Sequence, residues 1–125
     1  MLIIDTSIWI EFFKVNDPYF NIVREHLEKN NVIALEVIFS ELIQGCKNSK
    51  EVNIIQEYWK NLEKFSEENL MLEAAKLSYS NKFIDKGVGL IDSVIIYASY
   101  KLKCKIWTVD KKILSVLNDE NKFSP

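Results

Sequence analysis

Three short apolar runs in this chain each stop on an acidic residue. Leu2-Ile3-Ile4 ends on Asp5, Val32-Ile33-Ala34-Leu35 on Glu36, and Lys105-Ile106-Trp107-Thr108-Val109 on Asp110. Short runs without polar alternation predict strands buried on both faces, as in a parallel sheet. The segments between them carry apolar residues at helical spacing, so strands alternate with one or two helices. That order predicts an α/β fold: a parallel sheet with helices on both faces and right-handed crossovers. Ligands in such sheets bind in the crevice beyond the carboxyl ends of the strands, where Asp5 and Asp110 would stand.

The intervening helices can be placed in turn. Thr6 or Ser7 can cap a first helix carrying Ile8, Trp9, Phe12 and Phe13, read as core with some aromatic surface left for a partner. Asp17-Pro18 starts a second helix that runs to about Lys29. Val37 to Cys46 reads as a helix with Ile38 and Leu42 on its buried stripe, and Gly45 either ends it or marks close packing. A further helix carries Val52, Ile55, Tyr58 or Trp59, and Leu62. Phe65 and its neighbours make a very short strand, because Ser66-Glu67-Glu68 looks like a cap and acidic first turn. The helix that follows places Leu70, Leu72, Ala75, Leu77 and Tyr79 on the way to Ile84, before the loop from Asp85 to Gly89. The clearest stripe is Ile91, Val94, Ile95, Ala98 and Leu102, with Asp92 in its first turn. Asn121 to Pro125 is a tail or an edge strand.

Composition narrows what this architecture can do. With 125 residues and only 3 Gly and 2 Pro, the chain is expected to form one domain, residues 1–125, without a linker. No apolar run reaches the roughly 18 residues of a membrane span, and Asp5 interrupts any signal-like segment, so a cytoplasmic protein is expected. Cys46 and Cys104 lie far apart in no ligand-like spacing and are read as reduced and buried. The single histidine, His26, lies among Val23, Arg24, Glu25 and Leu27 on an expected surface helix and reads as a solvated side chain. Chemistry must therefore rest on carboxylates, hydroxyls, lysines or a metal. The formal net charge of -2 does not by itself suggest a nucleic-acid binder.

Four acids share a place in this arrangement. Asp5 and Asp110 end strands, while Glu41 and Asp92 lie in the first half of helices that start from the same carboxyl edge. Taken singly each is an ordinary cap, helix-dipole partner or solvated charge. Brought together they would repel one another unless a cation neutralised them. Oxygen donors without His or Cys suit Mg²⁺ or Mn²⁺. Metal-assisted hydrolysis of a phosphodiester is the chemistry such a cluster supports.

These residues resemble the PIN domains, in particular the VapC-like toxin ribonucleases of toxin-antitoxin modules. The resemblance lies in Ile3-Ile4-Asp5-Thr6-Ser7, Ser40-Glu41-Leu42-Ile43-Gln44-Gly45, Leu90-Ile91-Asp92-Ser93 with Ala98 downstream, and Trp107-Thr108-Val109-Asp110. It implies a PIN-like three-layer fold with a central parallel sheet of four to five strands flanked by helices. It further implies a Mg²⁺-dependent (or Mn²⁺-dependent) endoribonuclease acting on RNA, a small antitoxin partner and a homodimer. Carried over by position, Asp5 and Asp92 look like principal metal ligands, and Glu41 and Asp110 complete the pocket directly or through water. Thr6 or Ser7, and Thr108, match supporting hydroxyls. Two features depart from the family: Lys111 and Lys112 follow Asp110 where many relatives carry another acid, and residues 85–90 lack a strong basic signature.

Candidate RNA contacts are Lys47 and Lys50 beyond Gly45, Lys82 and Lys86 before the glycine loop, and Lys111 and Lys112 at the pocket edge. An amphipathic antitoxin helix laid in a groove is the expected binding mode. The principal competing reading is a non-catalytic module of the same fold that binds a metal, RNA or a protein. A phospho-acceptor receiver domain ranks lower, because Asp5 is followed by Thr6-Ser7 and the strand candidate near Phe65 supplies no Asp.

Overall fold

A computed structural model describes all residues from Met1 to Pro125. Strands β1 (Leu2–Ile4), β2 (Val32–Ala34), β3 (Glu63–Lys64) and β4 (Lys105–Trp107) form one parallel sheet in the order β3-β2-β1-β4. Helices α1 (Thr6–Phe13), α2 (Tyr19–Glu28), α3 (Glu36–Gln44), α4 (Ser49–Asn61), α5 (Leu70–Asn81), α6 (Leu90–Leu102) and α7 (Lys111–Val116) connect and follow them. Every residue of β1 and β2 is buried, as strands covered on both faces require. The chain steps from β1 to β2 to β3 in one direction, then crosses back over to β4 on the other side of β1. With right-handed crossovers, that reversal puts α1–α4 on one face and α5 and α6 on the other. The packing splits accordingly, α1 against α2 and α3, α3 against α4, and α5 against α6. The change of direction falls between β1 and β4, so the crevice opens above Asp5 and Asp110.

Aromatic rings fix α1 to its neighbours. Trp9 is 1% exposed and meets Phe39 of α3 at 5.4 Å and Tyr58 of α4 at 6.1 Å, centroid to centroid. Phe12 stacks on Phe20 of α2 at 5.2 Å. The aromatic residues of α1 are thus core, with Phe13 half-buried and stacked on Trp9. This clamp sets the direction in which Thr6 and Ser7 leave β1. A second chain of rings, Tyr19 on Trp107, Trp107 on Phe123 and Phe123 on His26, closes the outer side of β4. No helix is long and apolar enough to cross a membrane.

Several expectations are corrected in detail. The sheet has four strands; the tail makes only an isolated parallel bridge, Ile106 to Lys122, and the buried Asn121 holds it by donating to the Cys104 carbonyl at 2.9 Å. The third strand is Glu63–Lys64 rather than Phe65 and its neighbours, although the Phe65 amide still reaches the Ala34 carbonyl at 3.1 Å. Helix α5 begins at Leu70, not in Ser66-Glu67-Glu68, and Leu72 and Tyr79 face solvent at 65% and 85% exposure. Position Asp5, not Thr6 or Ser7, caps α1, and its side chain makes no capping bond. His26 is half-buried and structural, its Nδ1 3.0 Å from the Asn31 amide nitrogen. Cys104 is buried as expected, whereas Cys46 is only half-buried; burial pushes both thiols up. Gly45 ends α3 in an ordinary right-handed conformation.

Candidate active site at the carboxyl edge of the sheet

The site starts where β1 and β4 end side by side. The Asp5 amide donates to the Trp107 carbonyl at 2.9 Å, the last rung before the strands part. Immediately beyond it, the Thr108 hydroxyl donates to Asp5 Oδ2 at 2.7 Å, and the Ser7 hydroxyl reaches the same oxygen at 3.3 Å. Asp5 is 6% exposed and Thr108 7%, so this is a buried carboxylate held by hydroxyls. Thr108 Oγ1 in turn accepts the Asp110 amide at 3.0 Å. One hydroxyl therefore joins the ends of both strands and aims Asp5.

The other two acids come from opposite layers. Glu41, on α3, accepts the Thr6 hydroxyl at 2.8 Å, which ties α3 to the start of α1. Asp92 lies in the first turn of α6 and is half-buried. Its carboxyl is pushed above the ordinary carboxylate value first by burial, then by the charges of Asp110, Asp5 and Glu41; the Gly89 amide opposes the shift. Asp110 caps α7, accepting the Lys112 amide on Oδ1 at 2.8 Å.

The other three acids thus all act on the Asp92 carboxyl. They do not form a ready cage, however, because no three His, Cys, Asp or Glu groups are arranged to hold a metal ion. Their chemistry fits a hard divalent cation: every donor is an oxygen, and Asp92 carries a repulsion that a cation would relieve. Thr6, Ser7 and Thr108 each donate to one of these acids and leave no cap to α1.

The lysines divide between two regions. Lys47 and Lys50 follow α3, and Lys47 lines a cleft with Phe13 and Lys14 at the far end of α1 from Asp5. Lys82 precedes and Lys86 ends the 3-10 turn Phe83–Lys86, which packs against α7, the helix that begins with Lys111 and Lys112. Beside Glu41 a groove of about 1050 Å³ runs between α3 and the start of α5, floored by Leu35, Ile91 and Val94 and bordered by Phe65 and Glu67. Sequence reasoning missed the tie that forms its wall. Tyr97 of α6 donates to Glu67 at 2.5 Å, Lys101 stands 3.9 Å from the same carboxylate, and the tyrosine hydroxyl is pushed up to about 12, chiefly by that hydrogen bond. Only the pairing of an acid with a tyrosine thirty positions later could have signalled it.

A family model for the PIN domain matches residues 2–117. Among solved structures, the chain is similar to one in the crystal structure of VapBC2 from Rickettsia felis bound to a DNA fragment from their promoter. The TM-score is 0.71 at 16% identity, over 97% of this chain and 95% of that one. At that identity the likeness is one of fold. No curated protein matches.

Proposed function

The chain belongs to the PIN domain family, whose members are generally nucleases, and on that premise we propose that it is a Mg²⁺- or Mn²⁺-dependent endoribonuclease, the toxin of a toxin-antitoxin module. One observation carries the reading. Three separate acids, Asp110, Asp5 and Glu41, all press on the half-buried carboxyl of Asp92, at the edge where this fold binds ligands. An unneutralised cluster of this kind costs stability, so its presence is better explained by a cation and a reaction than by packing.

In this reading Asp5 and Asp92 would be the principal holders of the cation, with Glu41 and Asp110 engaging it directly or through water. Bound there, a divalent cation acidifies water and offsets the growing charge on a phosphodiester. The chain's own contribution is alignment. Thr108 and Ser7 both donate to Asp5 Oδ2, which fixes the carboxylate's rotamer and leaves Oδ1 without a side-chain donor. Thr6 holds the exposed Glu41 carboxylate by a hydrogen bond of 2.8 Å. Asp110 is steadied by the α7 backbone at Oδ1. Residues 1–125 would act as one cytoplasmic domain, a homodimer whose partner is a small antitoxin. The structurally similar chain belongs to the VapBC2 assembly, which supports a partner of that kind.

The test is cleavage of a labelled single-stranded RNA with and without Mg²⁺ or Mn²⁺. Asp5→Asn and Asp92→Asn should each lower the rate at least 100-fold while the circular dichroism spectrum is kept. Full activity in those variants, after contaminating nuclease is excluded, would overturn the assignment. Binding of Mn²⁺ or RNA without cleavage would support the non-catalytic module instead.

A further inference from the structure

We propose that Lys112, with Lys86 beside it, is the phosphate-positioning residue at the rim of the acidic crevice, and that Lys47 and Lys50 take no part. The inference rests on the nuclease reading and says where the RNA backbone enters. Its starting point is an electrostatic difficulty. A polyanion approaching four carboxylates on a protein of formal charge -2 is repelled unless fixed cations stand at the margin of the site.

Gly87 adopts φ +78°, a left-handed conformation that side chains rarely take. A Cβ built there would lie 3.5 Å from Cδ and 3.6 Å from Cε of Lys112. The alkyl stem of the exposed Lys112 therefore passes along the bare face of Gly87, where a side chain would meet it. The same lysine's amide binds Asp110 Oδ1 at 2.8 Å, while the loop it crosses leads directly to Gly89, the N-cap of the helix whose first turn carries Asp92. Lys112 thus spans from one acid of the cluster to the loop that leads into the helix carrying another.

Its ammonium group has no partner in the chain. Lys29, Lys76, Lys101 and Lys122 each pair with a carboxylate, whereas neither Lys112 nor Lys86 takes part in an ion pair or a side-chain hydrogen bond. Lys86 ends the 3-10 turn immediately before Gly87, on the segment that packs against α7. Two lysines without an ion pair are consequently carried by adjoining segments, the turn before Gly87 and the start of α7, next to Asp110. Lys47, by contrast, lines the cleft at the far end of α1. Lysine serves here as a point charge for a phosphate and carries no base preference.

The experiment uses a fluorescein-labelled, mixed-sequence RNA 12-mer in two measurements: steady-state cleavage with Mg²⁺, and anisotropy binding to the Asp92→Asn protein across a salt series. Lys112→Met keeps the stem over Gly87 and removes the charge. It should weaken binding about 3- to 10-fold, lower the salt slope by about 0.7, and raise KM with kcat nearly unchanged. Lys112→Arg should restore most of the affinity. Lys47→Met and Lys50→Met should change neither quantity, and thermal melts should show Lys112→Met as stable as the parent. Unchanged affinity and salt slope in Lys112→Met, or no RNA binding by the parent, overturns the inference. Lys112-dependent binding by a parent protein that does not cleave supports it while removing the nuclease reading.

Discussion

Asp92 shows how one residue can be read from its surroundings. Its carboxyl is held above the ordinary carboxylate value by burial and by three like charges, so the folded state binds its proton more tightly than the unfolded chain does. The sign follows. Below the ordinary value the acid is neutral in both states and costs nothing. As pH rises through the raised value the folded state alone resists ionisation, and stability is lost. Without added metal, Asp92→Asn should therefore stabilise the protein at neutral pH by about 0.5–1 kcal/mol, a modest gain because solvent screens part of the repulsion. The gain should vanish as pH falls to the ordinary carboxylate range. Urea titrations of both proteins at several pH values check this, and an equal gain at every pH would point to packing instead of charge. Asp5 illustrates the opposite case: in sequence it looked like a residue whose Thr and Ser neighbours cap a helix, yet those hydroxyls bind the acids. Sequence order cannot distinguish a cap from a carboxylate support, because both use the same residue types at the same spacing.

Helix α1 connects this chemistry to the core. It enters directly from Asp5, and its position depends on Trp9 packed against α3 and α4 and Phe12 against α2. Trp9→Ala should cost about 3–5 kcal/mol, measured by chemical unfolding, and Trp9→Phe clearly less because a ring remains in the cluster. Equal losses for both would place the stabilisation in the indole's edge rather than in ring stacking. The elements that carry the site, β1, β4, α3 and α6, were legible because each is an apolar pattern ending or starting at an acid. Strand β3 was not: Glu63 and Lys64 are charged and exposed, and they are a strand only because Ile33 and Ala34 offer them a parallel edge. The start of α5 was misplaced for a related reason. Glu67, which resembles a first-turn acid, is drawn out by Tyr97, so the helix waits until Leu70. In both places a contact with a distant element overrides the local pattern.

At the scale of the molecule, the site is assembled from parts of the chain as distant as they can be. The first strand pairs with the last, Leu2 with Lys105 and Ile4 with Trp107, and Thr108 bonds back to Asp5 across this seam. The reversal that places β4 beside β1 also delivers Asp92 and Asp110 to the crevice, so fold and site close in the same step. A chain built this way has no point at which one part could be complete without the other, and it should unfold as a single cooperative unit. Trp59 reports the α1–α4 layer through its contact with Phe39 at 5.5 Å, and Trp107 reports the β1–β4 seam. Single-tryptophan variants retaining either residue, with the other two tryptophans changed to Phe, should give fluorescence transitions at one common denaturant midpoint for each protein, coincident with far-ultraviolet circular dichroism. A Trp107 transition that precedes loss of helix would divide the chain into two units, with β4 docking late, and would mean that Asp5 is presented without its Thr108 support whenever the seam opens.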